Sequence, residues 1–227
     1  SLITAQTLAE SDSPDDLAEA LGLVRQIEVQ SNAWPEAKPL IEDWSVELLN
    51  YGFRKWEQED LDAAIKLIQQ VPVDLAIGSE AEDLVLFAQS QRLATFEADW
   101  EPVYGDILNL KDAIKAGKQI DQDSPFYQDT QINIALWTKQ LGDLQKLYGA
   151  TLMAKLDQKG ALEIAIAQAK AINPERPQRQ QAQTLISHWS KEIQRLEDRP
   201  FLARAQQLAD SGDKASLELA IAEARKI

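Results

Sequence analysis

One phrase of apolar and small residues recurs five times along this chain. It reads Leu17-x-x-Ala20-Leu21-x-x-Val24-x-x-Ile27, then Leu61-x-x-Ala64-Ile65-x-x-Ile68-x-x-Val71. Leu110-x-x-Ala113-Ile114-x-x-Gly117-x-x-Ile120 and Leu162-x-x-Ala165-Ile166-x-x-Ala169-x-x-Ile172 follow, and Leu217-x-x-Ala220-Ile221-x-x-Ala224-x-x-Ile227 is the fifth. The starts at 17, 61, 110, 162 and 217 set periods of 44, 49, 52 and 55 residues. Self-similarity on that scale means one supersecondary unit copied along an array, in which each copy buries its apolar face on its neighbours.

Apolar residues at i, i+3, i+4, i+7 and i+10 mark one stripe of a helix with 3.6 residues per turn. The phrase therefore predicts a short helix A in every copy. Alanine at its fourth position (Ala20, Ala64, Ala113, Ala165, Ala220) predicts a close approach of a neighbouring helix, because a larger side chain would hold that backbone away. A second pattern lies between the phrases. Ala37-x-x-x-Ile41-x-x-Trp44 matches Thr130-x-x-x-Ile134-x-x-Trp137 and Ala182-x-x-x-Ile186-x-x-Trp189, with Leu84 and Phe87 at the corresponding places of the second copy. This is a longer helix B, and Trp44, Phe87, Trp137 and Trp189 join the five alanines as the predicted repeat core.

Punctuation residues set the expected boundaries. Ser13-Pro14-Asp15-Asp16, Ser124-Pro125 and Asn173-Pro174 read as a cap followed by proline in the first helical turn. Ser79-x-x-Glu82 reads as a capping box, and Gly160 and Gly212 as turns into the last two A helices. The B helix through Trp137 is expected to run about 28 residues, ~40 Å long. Pro200 is expected to break or kink the next one. Val71-Pro72-Val73 is a loop, and strand signals are nearly absent. The expected fold is all-α: tandem αα-hairpins in an elongated α-solenoid, a right-handed superhelix-like array over 1–227, with copies at 13–57, 58–98, 99–157, 158–211 and a partial copy at 212–227. Ala5-x-x-Leu8-Ala9 resembles Ala205-x-x-Leu208-Ala209, the tail of a B helix, so the segment is expected to be excised from a longer protein.

The unit, an Ala-Ile helix A, a proline turn and Ala182-Gln183-Thr184-Leu185-Ile186-Ser187-His188-Trp189 as helix B, resembles helical repeats of a group of cyanobacterial proteins loosely labelled chromosome-segregation-ATPase-like. The likeness covers nearly the whole chain through packing residues. It implies a membrane-anchored parent and carries no catalytic residue. No Gly-x-x-x-x-Gly-Lys-Ser/Thr is present, so the ATPase label gains no support. Tetratricopeptide repeats are a more distant likeness, with a shorter period near 34.

Composition narrows the function classes. There is no cysteine, hence no disulfide, thiolate metal site or cysteine nucleophile, and no apolar run reaches the ~18 residues of a membrane span. The net charge of −14 is uneven: residues 1–110 hold 22 acids against 6 bases, and 111–227 hold 15 against 17. An acidic half is either a solvated surface or one that repels nucleic acid and anionic lipid and suits a basic partner.

No residue set points to chemistry. His188 is the only histidine and lacks the convergent ligands of a metal centre, so it reads as a helix residue at the edge of the seam. Asp60-Leu61-Asp62 and Asp121-Gln122-Asp123 lack the glycine and closing glutamate of a calcium loop; Asp60 and Asp123 are expected at helix starts. Arg176, Arg179, Lys191, Arg195, Arg199 and Arg204 make the last third locally basic, without interleaved aromatics for base stacking. Trp34, Trp56 and Trp100 do not recur and lie near helix ends, where they pack over turns or form an interface. The expectation is a non-enzymatic protein-interaction or scaffold segment with no cofactor, metal or nucleic acid and a protein partner of basic surface. Its alternatives are an architectural spacer of a membrane-anchored envelope protein and a ligand-binding or enzymatic helical domain.

Overall fold

A computed structural model describes residues 1–11, 13–96 and 99–227. Among them are ten helices and no strand: α1 (Leu2–Ala9), α2 (Pro14–Val24), α3 (Trp34–Glu57), α4 (Leu61–Ile68), α5 (Gly78–Ala94), α6 (Tyr104–Gly117), α7 (Tyr127–Ala154), α8 (Lys159–Lys170), α9 (Arg179–Ala209) and α10 (Lys214–Ala224). The chain divides into two compact units, Ser1–Phe96 with Leu108–Thr138 and Glu97–Ile107 with Lys139–Ile227. The boundary expected at 98 lies outside the described residues.

Each phrase lies on its own helix (α2, α4, α6, α8 and α10), but its last residue lies just past the helix end. The amides of Ile27, Val71, Ile120 and Ile172 each donate to the carbonyl three residues back, on Val24, Ile68, Gly117 and Ala169. That tightened final turn satisfies orphan carbonyls. It also folds Val71, Ile120 and Ile172 into the core, so the i+10 position is a hook over the helix end and not part of its stripe.

The same loop conformation follows four times, over 27–33, 71–77, 120–126 and 172–178. Ser31, Leu75, Ser124 and Arg176 donate their amides to Glu28, Pro72, Asp121 and Asn173. The amides of Trp34, Gly78, Tyr127 and Arg179 then donate to Ser31, Leu75, Ser124 and Arg176, and each opens a B helix. Ser124 and Asn173 are therefore turn residues, not caps. Ser124 Oγ accepts from the Phe126 amide and Asn173 Oδ1 from the Glu175 amide. Asp123 lies in the same loop, not at a helix start. Ser79 is inside α5, which has no side-chain cap at Ile77, so there is no capping box.

The loops set the register of the B helices. Ten residues after each start stand Trp44, Ala88, Trp137 and Trp189, all buried. The second copy thus has alanine at the tryptophan place, and Phe87 is one residue out of register. Three residues after each start, Ala37, Ala81, Thr130 and Ala182 are also buried.

Ser13 caps α2 with Pro14 in its first turn, and Asp60 caps α4. The residue before the cap is left-handed ahead of α4, α8 and α10: Glu59 at φ 62°, Asp157 at φ 50° and Gly212 at φ 70°. Gly160 sits inside α8, so Asp157 makes the turn expected of it. Pro200 does not break α9, which runs 31 residues through it. Pro200 is exposed, and on a solvent-facing side a lost helical hydrogen bond is replaceable by one to water.

In the first unit α2 packs on α1 and α3, and α4 on α3 and α5, while α2 touches α4 and α3 touches α5. In the second unit Leu147 and Ala150 of α7, Leu162, Ala165 and Ala169 of α8, and Ala182, Leu185 and Trp189 of α9 form one core. Ala20, Ala64, Ala113 and Ala165 are fully buried, as a close helix approach requires, and Ala220 nearly so.

Candidate interaction surfaces

Two surfaces bring together residues that packing alone does not use. In the first unit the end of α4, the 71–76 loop, the first two turns of α5 and the 119–125 loop enclose a groove of about 850 Å³. Aliphatic groups of Val71, Val73, Val85 and Leu86 line it. Around them stand Glu80, Glu82, Asp83, Asp121 and Asp123, with no lysine or arginine among the lining residues. Among the described residues none of the five carboxylates has a cation within 4.0 Å. The unit as a whole carries 22 acids against 9 bases.

Backbone packing holds this groove in shape. Gly78, the first residue of α5, faces the Val73 backbone so closely that an added Cβ would fall on its carbonyl, with Val73 C and Cα at 2.6 and 2.8 Å. Phe126, in the 120–126 loop, stacks on Phe87 at 5.5 Å between ring centroids and meets Trp56 edge-on at 6.5 Å. The acids have distinct local roles. Glu80, Glu82 and Asp83 lie near the α5 N-terminus, whose partial positive charge they complement. Asp121 accepts only the neighbouring Gln122 amide through Oδ1, and neither it nor Asp123 caps a helix.

In the second unit the 99–104 segment is fastened along α7 and α9. Gln181 donates to the Asp99 carbonyl at 2.6 Å, Glu101 pairs with Lys155 at 3.8 Å, and Tyr104 packs on Tyr148. This presents Trp100, half exposed, edge-on to the His188 ring at 5.1 Å, with Thr184, Ser187 and Lys191 beside it. Asp106 follows in the first turn of α6 and is buried. Burial pushes its carboxyl above the ordinary value of 3.8; the Val103 backbone hydrogen bond opposes this, and the charge of Asp99 adds to it.

The direction of that shift yields a prediction. A raised folded-state pKa means the native state holds this proton more tightly, so ionised Asp106 destabilises the fold at neutral pH, and acidification removes the penalty. Asp106→Asn, which keeps an acceptor for Val103, is expected to raise the melting temperature at neutral pH. The gain should shrink as pH falls through the raised pKa and past 3.8. A gain that is constant across that range would rule out ionisation as its source.

The three tryptophans singled out in the sequence sit in different settings. Trp56 belongs to the aromatic cluster and donates its indole N–H to Gln91 Oε1 at 2.7 Å. Trp34 is half-buried against the same core, and Trp100 is the most open. Trp44, Trp137 and Trp189 are buried. Asp62 pairs with Arg92 on the surface, and His188 is exposed. Among the described residues no group of three or more His, Asp or Glu is arranged to hold a metal ion, and no helix is long and apolar enough to cross a membrane. The acidic groove was not visible in the sequence as a site, because its acids come from the first two turns of α5 and from the 120–126 loop, which are far apart in the chain. Comparison with protein-family models, with curated proteins and with solved structures returned no match.

Proposed function

We propose that this chain is a non-enzymatic interaction segment, a tandem αα-hairpin scaffold whose first unit takes a basic, partly aliphatic segment of a protein partner in its acidic groove. The observation that carries the reading is the groove itself: five carboxylates without cationic partners around aliphatic walls. An arginine or lysine there gains charge-assisted hydrogen bonds, while alternate aliphatic side chains cover Val73 and Leu86. The repeat-scaffold part of the reading rests on the four identical loops and on the contacts of α2 with α4 and α3 with α5. Stacked hairpins commonly present such grooves between successive layers.

The test uses a labelled octapeptide of alternating lysine or arginine and leucine, followed by fluorescence anisotropy. Affinity is expected to fall about ten-fold between low and physiological salt, since the contacts are exposed and screened. Asp121→Asn with Asp123→Asn leaves the α5 terminus intact and is expected to weaken binding by about five- to ten-fold, on the order of 1 kcal/mol. Salt-insensitive binding, or equal affinity for the double variant, would remove the groove as the site.

A further inference from the structure

The fifth phrase is more exposed than the other four: Ala220 is buried, but its large aliphatic residues are open. Leu217, Ile221 and Ile227 are 43%, 53% and 49% exposed, whereas Leu162 and Ile172, at the same phrase positions, are 2% and 1%. The difference lies in what flanks each A helix. α2 lies between α1 and α3, α4 between α3 and α5, and α8 between the second half of α7 and α9, whereas α10 packs on α9 and leaves its other apolar face open. On α8 that second face is covered by Ala182, Leu185 and Trp189 of α9.

The charge beside the open face narrows the occupant. A groove of about 610 Å³ runs along α9 to Ile227, lined by Lys191, Arg195 and Arg199 against the single acid Asp198. Among the described residues neither Lys191 nor Arg199 has an acid within 4.0 Å. In the preceding layer the seventeenth residue of the B helix, Asp143, is buried and receives Arg176 Nη1 at 3.0 Å from the loop that leads into α9. Arg195 holds the seventeenth place in α9. Arg195 is already paired with Asp157 and Glu192, so the cations left to a covering element are Lys191 and Arg199, and it fits best if it brings acids to them.

From this geometry we infer that α10 and the second half of α9 form a docking surface for an acidic amphipathic helix of the B type. Such a helix carries a small residue, isoleucine and tryptophan at successive spacings of four and three. Leu217, Ile221 and Ile227 take its apolar face, and Lys191 and Arg199 take its carboxylates.

Two segments of this chain serve as probes against the intact protein. A peptide of residues 28–50 carries Ala37, Ile41 and Trp44 with a net charge of −4. A peptide of residues 173–195 carries Ala182, Ile186 and Trp189 with a net charge of +2. By anisotropy the acidic peptide is expected to bind about ten-fold or more tightly than the basic one, an advantage that shrinks as salt is raised. Ile221→Lys and, separately, Ile227→Lys change exposed residues and are expected to abolish binding with the helical circular dichroism unchanged. Failure of the acidic peptide to bind overturns the inference, and so does equal affinity for both peptides. Self-association that Ile221→Lys dissolves would show that a second copy covers this face, and would equally overturn it. Both peptides are also measured on the Asp121→Asn, Asp123→Asn double variant, so that binding of the basic peptide in the acidic groove of the first unit does not enter the comparison.

Discussion

Phe87→Ala is expected to destabilise the first unit by about 3–5 kcal/mol, the range for truncating a fully enclosed aromatic. Phe87 is buried between Trp56, at 5.6 Å, and Phe126, at 5.5 Å, and Trp56 in turn meets Phe53 at 5.3 Å. Removing the central ring leaves a cavity that three helices and a loop cannot readily close, and it also forfeits two aromatic contacts worth about 0.5–1.5 kcal/mol each. A fall in melting temperature of roughly 10 °C or more should follow. Phe87→Leu fills much of the volume and is expected to cost about half as much. Because Phe126 belongs to the loop that carries Asp121 and Asp123, the alanine variant should also lose affinity for the basic peptide. Hydrogen exchange across α5 reads the stability change locally. Wild-type protection there in the alanine variant would show that the cluster does not hold the unit together.

Phe87 also shows what could be read in the sequence. The A helices were legible because their stripe is made of packing residues repeated at one spacing, and each phrase does lie on a helix. The hook at the fifth phrase position was not, since i+10 falls on the same face whether the helix continues or stops three residues earlier. In the second B helix the large aromatic drew the register to Phe87, while the backbone places Ala88 at the tryptophan position. The indole beside Phe87 instead comes from Trp56, near the end of α3, which no repeat rule marks.

The four loops share a conformation while no residue is common to all of them. Backbone hydrogen bonds specify that turn, and Ser, Asn, Asp or Pro can each occupy it, so Ser124 and Asn173 resembled caps. The groove followed the loops out of reach: Asp121-Gln122-Asp123 and Glu80-Ala81-Glu82-Asp83 are ordinary acidic runs until loop geometry brings them to one rim. The uneven charge was legible, but the rim that concentrates it was not.

Leu162→Ala and Leu217→Ala delete the same atoms at the same phrase position, and their costs are expected to differ about three-fold. Leu162 is enclosed by α7 and α9, so its truncation loses transfer free energy and leaves a cavity, together about 3 kcal/mol. Leu217 already meets water over much of its surface, so no cavity forms and only the partial burial on α9 is lost, about 1 kcal/mol. Hydrogen exchange in α8 and in α10 separates the two effects, because each reports its own helix. Equal costs would mean that α10 is covered as α8 is, by self-association of the chain. Adding the acidic 28–50 peptide covers the open face of α10, and the Leu217→Ala cost should then rise toward that of Leu162→Ala. Mass action links the two quantities: a ligand stabilises the fold by an amount set by its affinity, and a variant that weakens the ligand forfeits that increment. A Leu217→Ala cost that stays constant through saturation with the peptide would place the peptide elsewhere on the surface.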